Sequence, residues 1–136
     1  MSKKGIGIIF HSGSYDRIYN GLSIAMAALA LDREVKLFFS YWALIYLKKE
    51  KIEPFKLDKE AITHKKLFEK NIREGHILEI EEMLGRTRKM NAKFYSCASS
   101  MGLLNITRDE LKDVVDKSMG LVTFLVEVSD YQILFI

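Results

Sequence analysis

The chain has 136 residues, of which 49% are hydrophobic and 29% charged, and its 21 basic and 18 acidic side chains leave a net charge of +3. This length suits one domain with a sizeable core, and the composition excludes a disordered chain. Because the positive and negative charges are nearly balanced, the net charge gives no support to nucleic acid as a partner.

The single cysteine excludes an internal disulfide and suits a reducing compartment. No stretch reaches the roughly 18 apolar residues that a membrane span needs. The apolar run near the N-terminus is too short for a signal peptide. We therefore expect a cytoplasmic protein with no membrane partner.

Two strand-and-helix units open the chain. The Ile-rich run at residues 5–10 predicts a strand buried on both faces, as in a parallel sheet. A Ser-Gly-Ser loop then leads into a helix that ends at Leu31, with Ser14 as its N-cap. The second half of this helix is almost wholly apolar, whereas a helix on a sheet keeps one polar face, so we expect it to contact another subunit. A second strand at residues 34–39 and a helix to about Lys49 complete a pattern typical of right-handed parallel crossovers.

The middle of the chain, at about residues 49–75, departs from this pattern. It is charged, contains the only proline and has no long apolar period. These features predict an irregular excursion with a short helix around residues 67–72. A solvated surface is its favoured role, and a lid over a site is the alternative, because long loops in compact domains are often functional.

The second half of the chain returns to regular elements. Apolar positions at helical spacing predict a helix at residues 75–90, followed by a strand that stops at Cys97. Thr107 and Glu110 form a capping-box pattern at the start of a further short helix. Three later elements are predicted: a strand at 114–115, a helix at 121–128 and a strand at 131–136. The fold class is therefore α/β, a three-layer α/β/α sandwich in which about five strands form a mainly parallel sheet.

Cys97 is the residue around which we predict a site. A thiol at a helix start faces unpaired backbone N–H groups and the positive end of the helix dipole, and both favour the nucleophilic thiolate. The small residues Ala98, Ser99 and Ser100 can open such a helix, and their N–H groups would stabilise the anion. Ser96 and Ser99 are further possible hydrogen-bond donors. The alternative is an inert, buried Cys97, because free cysteine is among the most buried residue types.

Two other predicted strand ends carry polar or aromatic side chains, His11 with Ser12 and Tyr41 with Trp42. Ligands bind beyond the carboxyl ends of parallel strands, so we expect these four side chains to share an edge with Cys97. Tyr41 and Trp42 would shield the thiolate, or else serve as packing residues. A further alternative is a phosphate or nucleotide site, supported by the Ser-Gly-Ser loop that precedes a helix.

Several cysteine chemistries lack their usual companions in this sequence. A thioredoxin-type site needs a downstream proline, but Pro54 lies upstream of Cys97. A phosphatase or rhodanese loop needs a nearby arginine, and the next one is Arg108. Phe94 stands where a peroxiredoxin-type thiol peroxidase has a threonine. One cysteine and three dispersed histidines do not predict a zinc site either, and no cofactor is predicted.

Two segments resemble the DsrE/DsrF-like family. Residues 38–44, Phe-Phe-Ser-Tyr-Trp-Ala-Leu, are similar to its aromatic strand-to-helix segment, and residues 94–106 are similar to the segment around its conserved cysteine. The order of elements agrees over residues 5–136, and the branch it most resembles is the one labelled peroxiredoxin-like. Residues 99–102, Ser-Ser-Met-Gly, replace a Met-Ser-Met-Asp-like run, so that run's acidic residue is missing.

The resemblance implies a single DsrEFH-like domain over residues 1–136 that forms homotrimers or homohexamers. It also implies a cysteine that carries sulfane sulfur as a persulfide, and Cys97 is the matching position. The expected function is a sulfur carrier or sulfurtransferase that exchanges sulfur with a donor and an acceptor thiol protein. The acceptor thiol must come from outside the chain, because there is no second cysteine. The alternative is a non-catalytic homo-oligomeric binding module.

Overall fold

The computed structural model describes residues 3–50, 56–75 and 77–136. Within these ranges a five-stranded parallel sheet has the strand order β4-β3-β2-β1-β5. The strands are β1 (Ile6–Phe10), β2 (Val35–Phe39), β3 (Lys93–Cys97), β4 (Lys117–Met119) and β5 (Gln132–Phe135). The α-helices are α1 (Tyr15–Ala30), α2 (Lys65–Arg73), α3 (Ile80–Lys89), α4 (Ala98–Leu103) and α5 (Leu121–Glu127), and the 3-10 helices are Tyr41–Leu47, Lys59–His64 and Arg108–Glu110. None of the described helices combines the length and the apolar character that crossing a bilayer requires.

The sheet has helices on both faces, which confirms the predicted three-layer α/β/α fold class. Helices α1 and α3 pack together and share one apolar core with the sheet. Helix α5 lies on the opposite face, where the ring of Phe124 stacks on that of Phe38 with 4.7 Å between centroids. Chain order explains this division, because the strands from β1 to β4 follow one direction across the sheet and only the last crossover returns to β5.

The apolar second half of α1 has neighbours within its own chain. Leu22, Ala25 and Ala28 are buried there, against the sheet and α3. Ile24, Met26 and Leu29 are half-buried against the core. The exposed positions are Ala27 and Ala30, with Leu31 as the exposed large side chain just beyond the helix. The helix therefore does not present the wide apolar surface that led us to expect a subunit contact at this place.

Two elements differ from the sequence prediction. The segment after β2, predicted as a helix to about Lys49, is a 3-10 helix that ends at Leu47. The short strand predicted at residues 114–115 is wrong, because β4 begins at Lys117. Val115 is buried in the loop before β4, so its apolar character reflects core packing and not strand pairing.

The charged excursion contains two consecutive helical elements, and the helix predicted around residues 67–72 lies within α2. The carbonyl of Lys56 accepts a hydrogen bond from the Tyr15 N–H at 2.8 Å, and the Asp58 N–H donates to Ser14 Oγ at 3.0 Å. These bonds attach the excursion to the start of α1. Residues 51–55, which include the proline, lie outside the described residues.

Candidate functional site

Cys97 lies where a strand changes into a helix. It is the last residue of β3 and the N-cap of α4, as the sequence predicts. Its backbone is extended, with φ −76° and ψ 114°, and it pairs with Met119 across the sheet. This position brings the first N–H groups of α4 to the side of its sulfur.

The Cys97 side chain points to the α5 face of the sheet, because it shares an apolar cluster with residues of that face. The residue is only 4% exposed. The neighbouring Ala98 and Ser99 are both exposed, so the sulfur lies just below the surface at the start of α4. The other buried members of this cluster are Phe38, Tyr95, Met119, Phe124 and Val128.

Two serines provide the polar side of the site. Ser99 Oγ lies 3.3 Å from Cys97 Sγ. The hydroxyl of Ser100 is fully buried and has no hydrogen-bond partner among the described residues. An unpaired buried hydroxyl is costly, and a thiolate at this place would accept its hydrogen bond.

The pKa of Cys97 results from two opposing influences. Burial raises the pKa of the thiol, because it disfavours the charged form. The hydroxyl and backbone N–H groups of Ser100 and Ser99 can donate to the thiolate. Their effect lowers the pKa and outweighs burial, so the pKa of Cys97 lies below the ordinary value of a thiol. The sulfur is therefore a buried atom whose surroundings favour its anion, unlike a cysteine surrounded only by hydrocarbon.

Ser96, named above as a possible donor to the thiolate, lies on the other face of the sheet. Side chains alternate along a strand, and Cys97 is its immediate neighbour. The Ser96 hydroxyl is 2.6 Å from that of Ser118 in β4, whose hydroxyl also contacts the sulfur of Met101 at 3.5 Å. Ser96 therefore joins β3 to β4 and does not serve the Cys97 sulfur.

His11 and Tyr41 form a second group at the carboxyl edge of the sheet. Their rings lie 4.9 Å apart, and the His11 ring is 6.0 Å from that of Phe135. Tyr41 has a φ of 45°, a left-handed conformation that is strained for a bulky residue. Among the described residues, no hydrogen bond or ring contact joins this group to Cys97.

The loop before α1 uses its polar groups within the chain. The hydroxyl of Ser12 accepts the Ser14 N–H at 3.0 Å, and the hydroxyl of Ser14 donates to the Asp16 carboxylate. The Tyr15 N–H is bonded to the Lys56 carbonyl. A carboxylate and a carbonyl thus occupy the start of α1, which is where the phosphate interpretation placed an anion.

Trp42 is 54% exposed and, together with Gly13, lines a cleft on the α1 side of the sheet. The cover of Cys97 comes instead from Phe38, Met119 and Phe124 in the cluster described above.

Of the predicted site residues, the structure places Ser99 and Ser100 beside the Cys97 sulfur, where β3 ends and α4 begins. In the part of the chain that the structure describes, no three His, Cys, Asp or Glu side chains come together as metal ligands.

One surface was not predicted from the sequence. The outward side of α5 and the adjacent side of β5 expose large apolar side chains, which we call the α5–β5 face. The signal was present in the sequence, because α5 reads Leu-Val-Thr-Phe-Leu-Val-Glu and lacks the polar side of a surface helix. Its members are Leu121, Val122, Leu125, Val126, Ile133 and Phe135, each at least 41% exposed.

Comparison with known proteins agrees with the fold. Protein YrkE of Bacillus subtilis (strain 168) is 24% identical over an alignment of 145 positions, gaps included, that covers 90% of each chain. The crystal structure of the ychN protein from E. coli superposes with a TM-score of 0.70 at 17% identity, over 98% of this chain and all of that one. Protein MTH1491 from Methanobacterium thermoautotrophicum gives a TM-score of 0.63 at 12% identity over the same shares. The sequence profile of the DsrE/DsrF/DrsH-like family matches residues 2–64 and 56–136, so this chain belongs to the DsrE/DsrF/DrsH-like family.

Proposed function

We propose that the protein is a cytoplasmic sulfur carrier of the sulfurtransferase type, with residues 1–136 acting as one domain and Cys97 holding sulfane sulfur as a persulfide. The family is generally linked to sulfur relay. The observation that carries the proposal is the place of the Cys97 sulfur at the start of α4, 3.3 Å from Ser99 Oγ and next to the buried Ser100 hydroxyl, which has no other partner among the described residues. These polar groups also lower the pKa of Cys97 in spite of burial. A thiolate is the form that attacks sulfur.

The transfer consists of two thiol exchanges. The Cys97 thiolate attacks the outer sulfur of a donor persulfide, so that an S–S bond forms at Cys97 while the donor's S–S bond breaks and the donor leaves as a thiolate. An acceptor thiolate then attacks the outer sulfur on Cys97, takes it away and restores the Cys97 thiolate. Nothing is oxidised or reduced overall, and the chain's lack of a second cysteine makes the acceptor an external thiol.

The position of the sulfur suits a carrier. The apolar cluster on one side protects a reactive sulfur from water and oxidants, while the exposed Ala98 and Ser99 mark the short path to the surface. Ser100 is rigidly placed because it is fully buried. Its hydroxyl can donate to either the thiolate or the persulfide anion, so it supports the site before and after loading.

Intact-mass spectrometry after loading with inorganic polysulfide tests the proposal. We expect a gain of one sulfur, about 32 Da, that dithiothreitol removes. Cys97→Ser is the matched control, because it removes the single thiol of the chain. A mass gain of the same size in Cys97→Ser, or no gain in the wild type under conditions that load the urea-unfolded chain, would contradict the proposal.

The burial of Cys97 favours a second candidate, a binding module with an inert thiol. Iodoacetamide separates the two, because a carrier must expose its sulfur at a rate useful for transfer. We expect native Cys97 to react well before the protein unfolds. A rate that equals the rate of global unfolding, measured in parallel by urea jump, would instead support the inert thiol.

We also propose that the protein associates with itself, as a homotrimer or homohexamer, and that the α5–β5 face lies in a contact between subunits. Parallel sheets occur almost only with both faces covered, yet Ile133 is 41% and Phe135 71% exposed beside α5. The six apolar side chains of the face together expose on the order of 600 Å², as much as the largest apolar patch of an ordinary monomer and near the roughly 800 Å² that each partner buries in a stable complex.

The charges of the α5–β5 face fit a second copy of the same face. The one charged residue of α5, Glu127, is already paired with Lys36 at 2.8 Å. Two such uncharged surfaces meet without leaving an unpaired charge, and a two-fold contact of this kind occurs within a hexamer.

Light scattering during gel filtration tests the assembly. We expect three or six times the subunit mass for the wild type, and smaller species for Val122→Asp and Phe135→Asp. The controls Leu31→Asp and Leu103→Asp change exposed side chains, 58% and 67% accessible, away from this face and should leave the mass unchanged. A monomeric wild type at micromolar concentration, or variants of the face that assemble normally, would refute the proposal.

A further inference from the structure

The cleft beside Trp42 is separate from the Cys97 site and has a chemistry of its own. It has a volume of about 500 Å³ and lies between the loop after β1, the 3-10 helix after β2 and the excursion at residues 56–65. Pockets of this size hold small organic molecules in many proteins. The cleft opens on the α1 side of the sheet, whereas Cys97 lies in the cluster on the α5 side.

The apolar part of the cleft consists of large side chains that stay more than half exposed. Trp42 is 54% exposed and Ile62 is 56% exposed, although both are large and apolar. They line the same cleft. An indole ring opposite an aliphatic wall suits a flat apolar group, because aromatic faces stack well on such groups.

The charged part of the cleft is positive. Lys56 and Lys65 line it, and among the described residues Lys56 forms no ion pair while Lys65 has a single long contact of 4.0 Å with Glu69. The acidic side chain that lines the cleft, Asp58, already faces the Arg17 guanidinium at 3.7 Å. Two ammonium groups therefore remain for an anion.

The base of the cleft is held by specific contacts. Tyr46 donates its hydroxyl hydrogen bond to the Gly13 carbonyl at 2.7 Å, which fixes the loop beneath Trp42. A Cβ at Gly13 would lie 3.0 Å from the Trp42 Cβ, so glycine allows this close approach. The bonds from Tyr15 to Lys56 and from Asp58 to Ser14 fix the opposite wall.

We propose that this cleft binds small organic anions in which a flat apolar body carries a carboxylate or phosphate group. The body lies against Trp42 and Ile62, and the anionic group lies between Lys56 and Lys65. The start of α1 takes no part, since its first N–H is bonded within the chain. This binding depends neither on Cys97 nor on sulfur transfer.

The chain offers a precise reporter, because Trp42 is its single tryptophan and gives one indole N–H signal in a proton–nitrogen correlation spectrum. We expect phenyl phosphate and phenylacetate to shift that signal saturably in the wild type. Inorganic phosphate and benzyl alcohol, which each carry half of the chemistry, should bind at least tenfold more weakly. If only phenyl phosphate binds, the site is specific for phosphate esters, and if both bind, it accepts organic anions in general.

Variants assign the binding to the named side chains. The double variant that carries both Lys56→Gln and Lys65→Gln should raise the Kd for phenyl phosphate about tenfold at low salt. The effect should be smaller as the salt concentration increases. The control is a double variant with Lys66→Gln and Lys70→Gln. It removes the same charge from exposed positions outside the cleft and should leave the Kd unchanged. Ile62→Ser should weaken phenyl phosphate but not inorganic phosphate. The proposal is overturned by an indole signal that does not move at millimolar phenyl phosphate, or by equal weakening in the control pair.

Discussion

Phe124 is the one buried side chain of helix α5 and its main apolar contact with the sheet, and replacing Phe124 by alanine tests its contribution. Phe124 is fully buried, while the neighbouring Val122, Leu125 and Val126 are 78%, 45% and 70% exposed. Its ring stacks on Phe38 at 4.7 Å and meets Tyr95 edge-on at 6.0 Å. Loss of the ring should therefore loosen the cover over this side of the sheet.

The expected cost follows from these contacts. Phenylalanine-to-alanine changes in cores cost about 3–5 kcal/mol, and two aromatic contacts each add about 0.5–1.5 kcal/mol to simple burial. Because α5 is short and exposed on its outer side, it can settle into part of the space and recover some of the loss. We expect about 3 kcal/mol, a large share of the 5–15 kcal/mol that holds an ordinary domain together.

Urea denaturation followed by circular dichroism measures this cost, as a lower midpoint at unchanged slope. Leu31→Ala is the control, because it removes a similar apolar volume from a side chain that is 58% exposed, and it should cost less than about 1 kcal/mol. Native Cys97, which shares the cluster with Phe124, should also react faster with iodoacetamide in the variant. Equal stabilities for Phe124→Ala and Leu31→Ala would refute the role assigned to α5.

Further results are expected from two glycines and from the thiol. A methyl group on Gly21 would overlap the Phe10 ring, so Gly21→Ala should destabilise by about 1–3 kcal/mol, whereas Gly85→Ala meets no atom within 4 Å and should stabilise α3 by about 0.5–1 kcal/mol in thermal or urea unfolding. The pH profile of Cys97 alkylation should have its midpoint below that of a free thiol, and Ser100→Ala should move it upward, because a donor to the thiolate is lost. Since the pKa of Cys97 is lower in the folded chain, the thiolate's stabilisation is complete above the unfolded pKa and is lost as the pH falls through the folded pKa. The stability difference between wild type and Cys97→Ser should therefore grow with pH across that window.

Local sequence was enough to predict the backbone geometry at Cys97, because its main features come from consecutive residues. A strand that ends at Cys97 and a helix that begins at Ala98 together place the thiol beside the N–H groups of Ser99 and Ser100. The capping box of Thr107 and Glu110 is confirmed for the same reason.

Features that depend on distant partners were out of reach of the sequence pattern. Strand β4 has a polar residue and a serine before Met119, so its place follows from pairing with β3 and not from its own apolar pattern. Ser96 was assigned to the thiolate because Ser118, its partner across the strands, could not be known. The two strand ends at His11 and Tyr41 do share the predicted edge, but the fold directs their rings to each other and to Phe135.

The order of the strands explains why the thiol and the uncovered apolar face lie on the same side of the sheet. Three right-handed crossovers from β1 to β4 place their helices on one face, and among the described elements only the return to β5 places a helix on the other. A seven-residue helix cannot cover five strands, so the sheet beside α5 stays open at Ile133 and Phe135. The cluster that buries Cys97 is therefore covered by α5 alone among the described helices. Any subunit that docks on the α5–β5 face contacts the helix that covers the sulfur. Assembly and access to the thiol are thus expected to be coupled, so Val122→Asp should change both the mass of the particle and the rate at which Cys97 is alkylated.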